Sequence, residues 1–198
     1  MEADLLTAIA AILSSIVTLG GVWARGKMKS GGKCPVETHV KAGANVYTAL
    51  KFIKSSMGSD RAYVFEFHNG GSYFSGRGQQ KFSCTHEVVE AGISAECMHS
   101  QDHRVSNYSQ YINDLISKGV LRCLDLNSIE DGGFRNLLQS KGVESLYNVP
   151  IKTLNGKIIG ILGVDYIHKL KKFPEPSRGA DTQEFMERQA RLIAGYLV

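Results

Sequence analysis

The chain has 198 residues, of which 43% are hydrophobic and 21% charged, a composition that fits one folded domain with an appendage and excludes a disordered chain. The net charge of +4 is small, and much of the excess lies in one short cluster. A nucleic-acid-binding face needs a broader basic stripe, so nucleic acid is not expected as a partner.

Leu5 to Ala24 is an uncharged run of twenty residues, followed by Arg25, Lys27, Lys29 and Lys33. As a helix it would span ~30 Å, the thickness of the hydrocarbon core of a bilayer. Trp23 stands at its end, where interfacial aromatics collect. A secretory signal needs a basic start, whereas this chain begins with Glu2 and Asp4. Small residues four apart (Thr7, Ala11, Ser15; Ala10, Ser14, Thr18) would also allow close packing in a helix bundle. The expectation is a single membrane span, with the basic flank and the C-terminal domain in the cytoplasm. Residues 1–33 are therefore assigned to the hydrophobic helix and its basic linker, and 34–198 to a folded domain.

From Pro35 the spacing of Val36, Val40, Gly43, Tyr47, Leu50, Ile53 and Met57 predicts a helix that stops at Gly58. Tyr63, Phe65 and Phe67 alternate with Ala62, Val64 and Glu66, predicting a strand with an aromatic face, turned by Asn69-Gly70-Gly71. "KFSCTHEVVE" predicts a second strand, with a helix from His86 to Glu90 as the alternative. A helix ending at Gly119, a short strand in "VLRCLDL" and a short helix in "GGFRNLLQSKG" follow. "VESLYNVPI" and "KIIGILGVDYI" are strands joined at Asn155-Gly156, a pair that predicts a two-residue hairpin with both residues at positive φ. The second of these strands is apolar on both faces and so belongs at the centre of the sheet. Asp181 with Glu184 resembles a capping box for a final helix carrying Met186, Ala190, Ile193 and Leu197. The order predicts an α+β fold with a mainly antiparallel sheet.

Val149-Pro150-Ile151, the Asn155-Gly156 turn and Lys157 to Val164 resemble the end of a GAF domain, and "DRAYVFEF" (Asp60 to Phe67) resembles its start. The resemblance implies a GAF-like (PAS-like) sensory fold over roughly Val36 to Val198. In it the first and last helices cover one sheet face and the inserted segments roof the other over a pocket. The N-K-x-F…D-E signature of cyclic-nucleotide-binding members and the bilin motifs of phytochromes are missing, so no ligand or cofactor carries over.

The cysteines Cys34, Cys84, Cys97 and Cys123 form no C-x-x-C pair and read as free thiols. His86, Glu87, Glu90, Cys97, His99, Asp102 and His103 are crowded together, and His99 and His103 would share a face if helical. Without a second spaced ligand pair, however, no metal site is expected. Cys84 and His86 would share a strand face, but no oxyanion or orienting motif accompanies them. Glu66, His68 and Asn69 at a strand end, with Tyr73, Phe74 and Arg77 on a glycine-rich loop, combine polar groups with aromatics as a small-molecule pocket does, and they form the candidate ligand site.

The chain is thus expected to be a non-enzymatic, membrane-anchored sensing or binding module that forms a homo-oligomer and acts through partners. The alternative is a structural protein of a phage virion or membrane channel that uses the fold as an oligomerisation scaffold. A sulfoxide reductase on the same fold has only scattered cysteines in its favour. If residues Met1 to Gly32 anchor the chain, cell fractionation will find the full chain with membranes and a chain beginning at Gly32 in the soluble fraction. Equal solubility without detergent would remove the anchor.

Overall fold

The computed structural model describes residues 34–176 and 181–198, so the membrane helix and basic linker expected over residues 1–33 lie outside the described residues. Among the described residues no helix is long and apolar enough to cross a membrane. The chain divides into two compact units between Lys41 and Ala42, within helix α1 (Pro35–Met57). In the first unit residues 35–41 are helical and carry the i,i+4 pair Glu37–Lys41, 2.6 Å apart.

The second unit is built on one antiparallel sheet. Its strands are β1 (Arg61–Ser72), β2 (Gly78–Val89), β3 (His103–Arg104), β4 (Leu121–Cys123), β5 (Ser145–Lys152) and β6 (Ile158–Tyr166), in the order β3-β2-β1-β6-β5-β4. The strand expected at the centre, β6, lies between β1 and β5. Alternation along the strands sorts the core into two layers. Ala62, Val64, Tyr147, Val149, Leu162 and Val164 face α1 and the C-terminal helix α4 (Thr182–Leu197). Phe65, Leu146 and Ile161 face the other way, under a roof of α2 (Ser109–Lys118), α3 (Gly132–Ser140) and the connections around them. This is the two-sided arrangement that the resemblance to GAF domains implied.

Four local expectations are corrected. The α1 residues buried in the second unit are Val46, Ala49, Leu50, Ile53 and Met57, and Tyr47 is 42% exposed, so the buried stripe is turned slightly from the expected one. Asn69-Gly70-Gly71 does not turn β1. The strand runs on to Ser72 through a bulge, and the turn lies at Tyr73–Arg77. His86 to Glu90 opens no helix, because β2 continues to Val89.

The Asn155-Gly156 hairpin has a different turn from the one expected. Gly156 has φ +81°, whereas Asp102 is the sole non-glycine residue at positive φ among those described, which excludes Asn155. Thr153 N donates to Lys157 O (2.9 Å) and Gly156 N to Thr153 O (2.9 Å), which defines a three-residue loop closed by a left-handed glycine. Tyr73–Arg77 repeats this geometry, with both bonds at 2.9 Å and Gly76 at φ +78°. At Gly156 a β-branched side chain meets the left-handed backbone penalty. Gly156→Val is therefore expected to lower stability by ~1–2 kcal/mol, and an unchanged denaturant midpoint would refute this account of the turn.

Candidate functional site

The roofed sheet face holds an unusual concentration of charge. Arg61 opens β1 and Asp165 stands opposite it on β6. Both are buried, and Arg61 Nε donates to Asp165 Oδ1 at 2.8 Å. The remaining guanidinium nitrogens donate to Ser94 O (3.1 Å) and Lys141 O (2.9 Å), so one side chain ties the sheet to two separate stretches of the roof. Burial pushes the Asp165 carboxyl up to about 6 against the pull of Arg61. Burial also opposes the Arg61 charge, but Asp165 outweighs it and holds the guanidinium protonated.

Next to this pair, Tyr63, Gly163 and Asn148 lie in one row across β1, β6 and β5. Tyr63 Oη donates to Asn148 Oδ1 (2.9 Å), and Asn148 Nδ2 donates to Tyr111 Oη on α2 (2.9 Å). This chain passes directly over Gly163, where a Cβ would stand 2.2 Å from both Asn148 Oδ1 and the Tyr63 ring. Tyr111 in turn stacks on Phe134 of α3, with centroids 3.7 Å apart and planes at 8°.

Two cavities flank that stack. The inner one, about 40 Å³, lies between sheet and roof and is lined by Tyr63, Phe65, Cys84, Glu96, Lys141 and Asp165 among others. It has room for a few water molecules. The outer one, about 280 Å³, opens between α2 and β4 beside Asp114, Lys118, Arg122 and Asp131. Its charges are largely committed. Lys118 pairs with Asp114 (3.1 Å), and Asp131 caps α3 through Phe134 N and accepts from Tyr111 N. In the inner cavity Glu87 accepts from the backbone of Glu96 and Cys97 (2.8 and 2.9 Å). Lys141 touches Ser100 Oγ and lies 5.9 Å from the Phe65 ring centroid, yet makes no ion pair among the described residues. Burial lowers its pKa. Nearby, His103 Nε2 is buried without a hydrogen-bond partner, and burial followed by Lys141 holds that ring's pKa down.

The residues expected to form the ligand site lie elsewhere, strung along the β1–β2 arm. Glu66 is half-buried. His68 Nε2 is hydrogen-bonded to Ser83 Oγ (2.9 Å), and Asn69 Oδ1 accepts from Gly71 N (3.0 Å). Arg77 lies over the Tyr73 ring at 5.0 Å, and Phe74 projects into solvent. Tyr73 and Arg77 are brought together, but none of the six lines either cavity.

The crowded His/Cys/acid stretch is dispersed. His99 ends a single 3-10 turn and His103 opens β3, so they share no helix. Cys84 and His86 lie on opposite faces, because β2 carries an extra residue at Thr85 that shifts the register between Val64 and Phe65. Cys84 faces the inner cavity, while His86 meets Tyr47 of α1 edge-on. Burial and the adjacent Cys97 push the Cys84 thiol far above its usual range. Among the described residues no three His, Cys, Asp or Glu side chains converge as metal ligands.

No protein-family model matches the sequence, and no curated protein matches it. Solved structures do match. A blue-light-absorbing form of the Thermosynechococcus elongatus PixJ GAF domain aligns over 83% of this chain and 89% of its own, with TM-score 0.62 and 13% identity. The GAF domain region of a Geobacter sulfurreducens protein aligns over 82% and 96%, with TM-score 0.57 and 16% identity. A phycoerythrobilin-bound GAF domain of a cyanobacterial phytochrome aligns over 84% and 95%, with TM-score 0.53 and 11% identity. The fold is that of GAF domains.

The buried pair makes the site sensitive to pH. Between about pH 4 and 6 the folded chain holds a proton on Asp165 that the unfolded chain has released. The stability this site contributes therefore falls as pH rises through that window. Asp165→Asn is expected to flatten the stability profile there, and Asp165→Ala, which leaves Arg61 buried and unpaired, to cost ~3–5 kcal/mol. Urea melts across that range check both; an identical slope in Asp165→Asn would count against the assignment.

Proposed function

We propose that this chain is a sensing module that binds a small polar molecule between sheet and roof and passes the binding event to a partner or a second copy of itself without chemical turnover. The observation that carries the proposal is the inner cavity. It lies on the roofed face of a GAF-like sheet and is lined by Lys141, which has no ion-pair partner among the described residues, with three carboxylates close by, Asp165, Glu87 and Glu96. Such a lining suits a ligand bearing both hydrogen-bond donors and acceptors. Its small volume means that the ligand enters by displacing roof segments. A protonated Cys84 thiol makes a poor nucleophile, which favours binding over catalysis. The uncharged run Leu5–Ala24 supports anchoring at a membrane, and the small-residue spacing within it supports a homo-oligomer, with a dimer as the default.

One preparation tests the proposal. The full chain, purified in detergent, is examined by native mass spectrometry before and after denaturation. The expected result is a dimer that releases a small polar molecule, with the molecule lost in Lys141→Met and kept in Arg122→Gln. If nothing is released, and no compound in a metabolite panel raises the melting temperature, the sensing proposal fails. A larger ring that needs the N-terminal segment would favour the assembly scaffold instead.

A further inference from the structure

The two long hairpins share more than their turn geometry. β6 runs antiparallel to β1 with Glu66 opposite Gly160, so the β1–β2 and β5–β6 turns leave the same end of the sheet. Their axes are two strand spacings apart, roughly 10 Å. Each turn places a large apolar residue at its first loop position, Phe74 in one and Leu154 in the other. These are the two most exposed hydrophobic side chains among the described residues, at 114% and 109%. That position of a type I turn accepts almost any residue and in water is commonly polar or proline. Nothing in the turn requires Phe or Leu, and neither side chain packs on the domain.

Cations surround the two tips. Arg77 follows Phe74, Lys152 and Lys157 flank Leu154, and Arg104 lies on β3 beside the base of the first arm. All four are exposed, and none makes an ion pair among the described residues. Among the described residues the acids beside the base of the first arm are Glu66 on β1 and Asp102 just before β3, and Asp102 is held by Lys81 at 3.0 Å. Fully exposed apolar tips within a set of uncommitted cations match the layered chemistry of an anionic bilayer, in which acyl chains lie beneath negative headgroups.

We propose that the Phe74 and Leu154 tips form a docking surface for an anionic lipid bilayer, with Arg77, Lys152, Lys157 and Arg104 meeting the headgroups. The surface stands on these hairpins and the adjoining β3 and is independent of both the ligand cavity and the hydrophobic run at residues 5–24. It also gives Tyr73, Phe74 and Arg77 a common purpose, since Tyr73 supports the Arg77 guanidinium from below.

The test uses the full chain. Trp23 is the only tryptophan, so Trp23→Phe combined with Phe74→Trp places a single reporter on the longer tip. The reporter chain is mixed with vesicles of phosphatidylcholine, alone or with phosphatidylserine, with and without brominated acyl chains. A blue-shifted emission that brominated lipid quenches is expected in the anionic vesicles and should be reversed by high salt. Arg77→Gln and Lys157→Gln should each weaken docking about fivefold, and Leu154→Ser should weaken it without changing the melting temperature. Water-like, unquenched emission in both vesicle types would overturn the proposal. Equal quenching in neutral and anionic vesicles would do the same, because the cations would then have no role. A blue shift that grows with protein concentration in detergent, and is absent with lipid, would assign the tips to a second copy of the chain instead.

Discussion

The roofed half of this domain depends on one buried charge. Arg61 sits at the mouth of β1 with only 1% of its surface exposed, and each of its three nitrogens holds a different element: β6 through Asp165, the loop after β2 through Ser94, and the end of α3 through Lys141. A guanidinium is suited to this because its planar fork keeps its charge when buried and presents donors in fixed directions. The roof needs such a tie because it has little regular structure of its own. Its helices are ten and nine residues long, the edge strands it adjoins two and three, and the rest is turns and 3-10 segments. Short elements of this kind are not stable alone and take their order from what they pack against.

The opposite face shows the contrast. There α1 and α4 lay an aliphatic layer on the sheet, with Leu50, Ile53, Met57, Met186 and Ile193 fully buried. That half was legible in the sequence because helical and strand periodicities both report burial against a flat apolar surface. The centrality of β6, the antiparallel pairing and the capping by Asp181, whose carboxylate accepts from Gln183 N and Glu184 N, followed from the same local signals. What the sequence concealed were single-residue irregularities. The extra residue at Thr85 turns Cys84 and His86 to opposite faces, and the bulge after Asn69 carries β1 past a glycine pair that has the composition of a turn. A bulge has no reliable compositional mark, yet it reverses every facing assignment beyond it.

The site was legible only in part, for a related reason. Arg61 and Asp165 did carry a signal: each is a charge set in an otherwise apolar strand, the two strands were expected to be central or early in the sheet, and a buried charge requires a partner. Lys141 carried none, since a lysine just after a helix has the ordinary look of a residue complementing the helix dipole. Its partial burial comes from the fold bringing the end of α3 over Phe65, nearly eighty residues away in sequence. The aromatics that drew attention, Tyr73 and Phe74, were conspicuous because they are apolar residues in a glycine-rich loop. That is the signature of an exposed hydrophobic tip as much as of a pocket wall, and composition alone does not separate the two.

Gly163 shows how closely the sheet and the cavity are joined. A side chain at that position would occupy the space in which Tyr63 and Asn148 meet, so the polar chain from β1 through β5 to Tyr111 of α2 exists because β6 has no Cβ there. Tyr63 and Asn148 line the inner cavity, and through Tyr111 the chain reaches the stack with Phe134 that separates it from the outer one. A molecule entering between sheet and roof must move Phe134 or Lys141, and either motion pulls on a contact that locates the roof: the stack in the first case, the Arg61 bond to the Lys141 carbonyl in the second. The aliphatic face is held mainly by apolar packing, with the buried bond from Tyr166 Oη to the Met57 carbonyl (2.9 Å) tying β6 to α1. The free energy of binding would therefore be spent on rearranging the roof, the part of the domain with the shortest regular elements and the lowest expected cost of local opening.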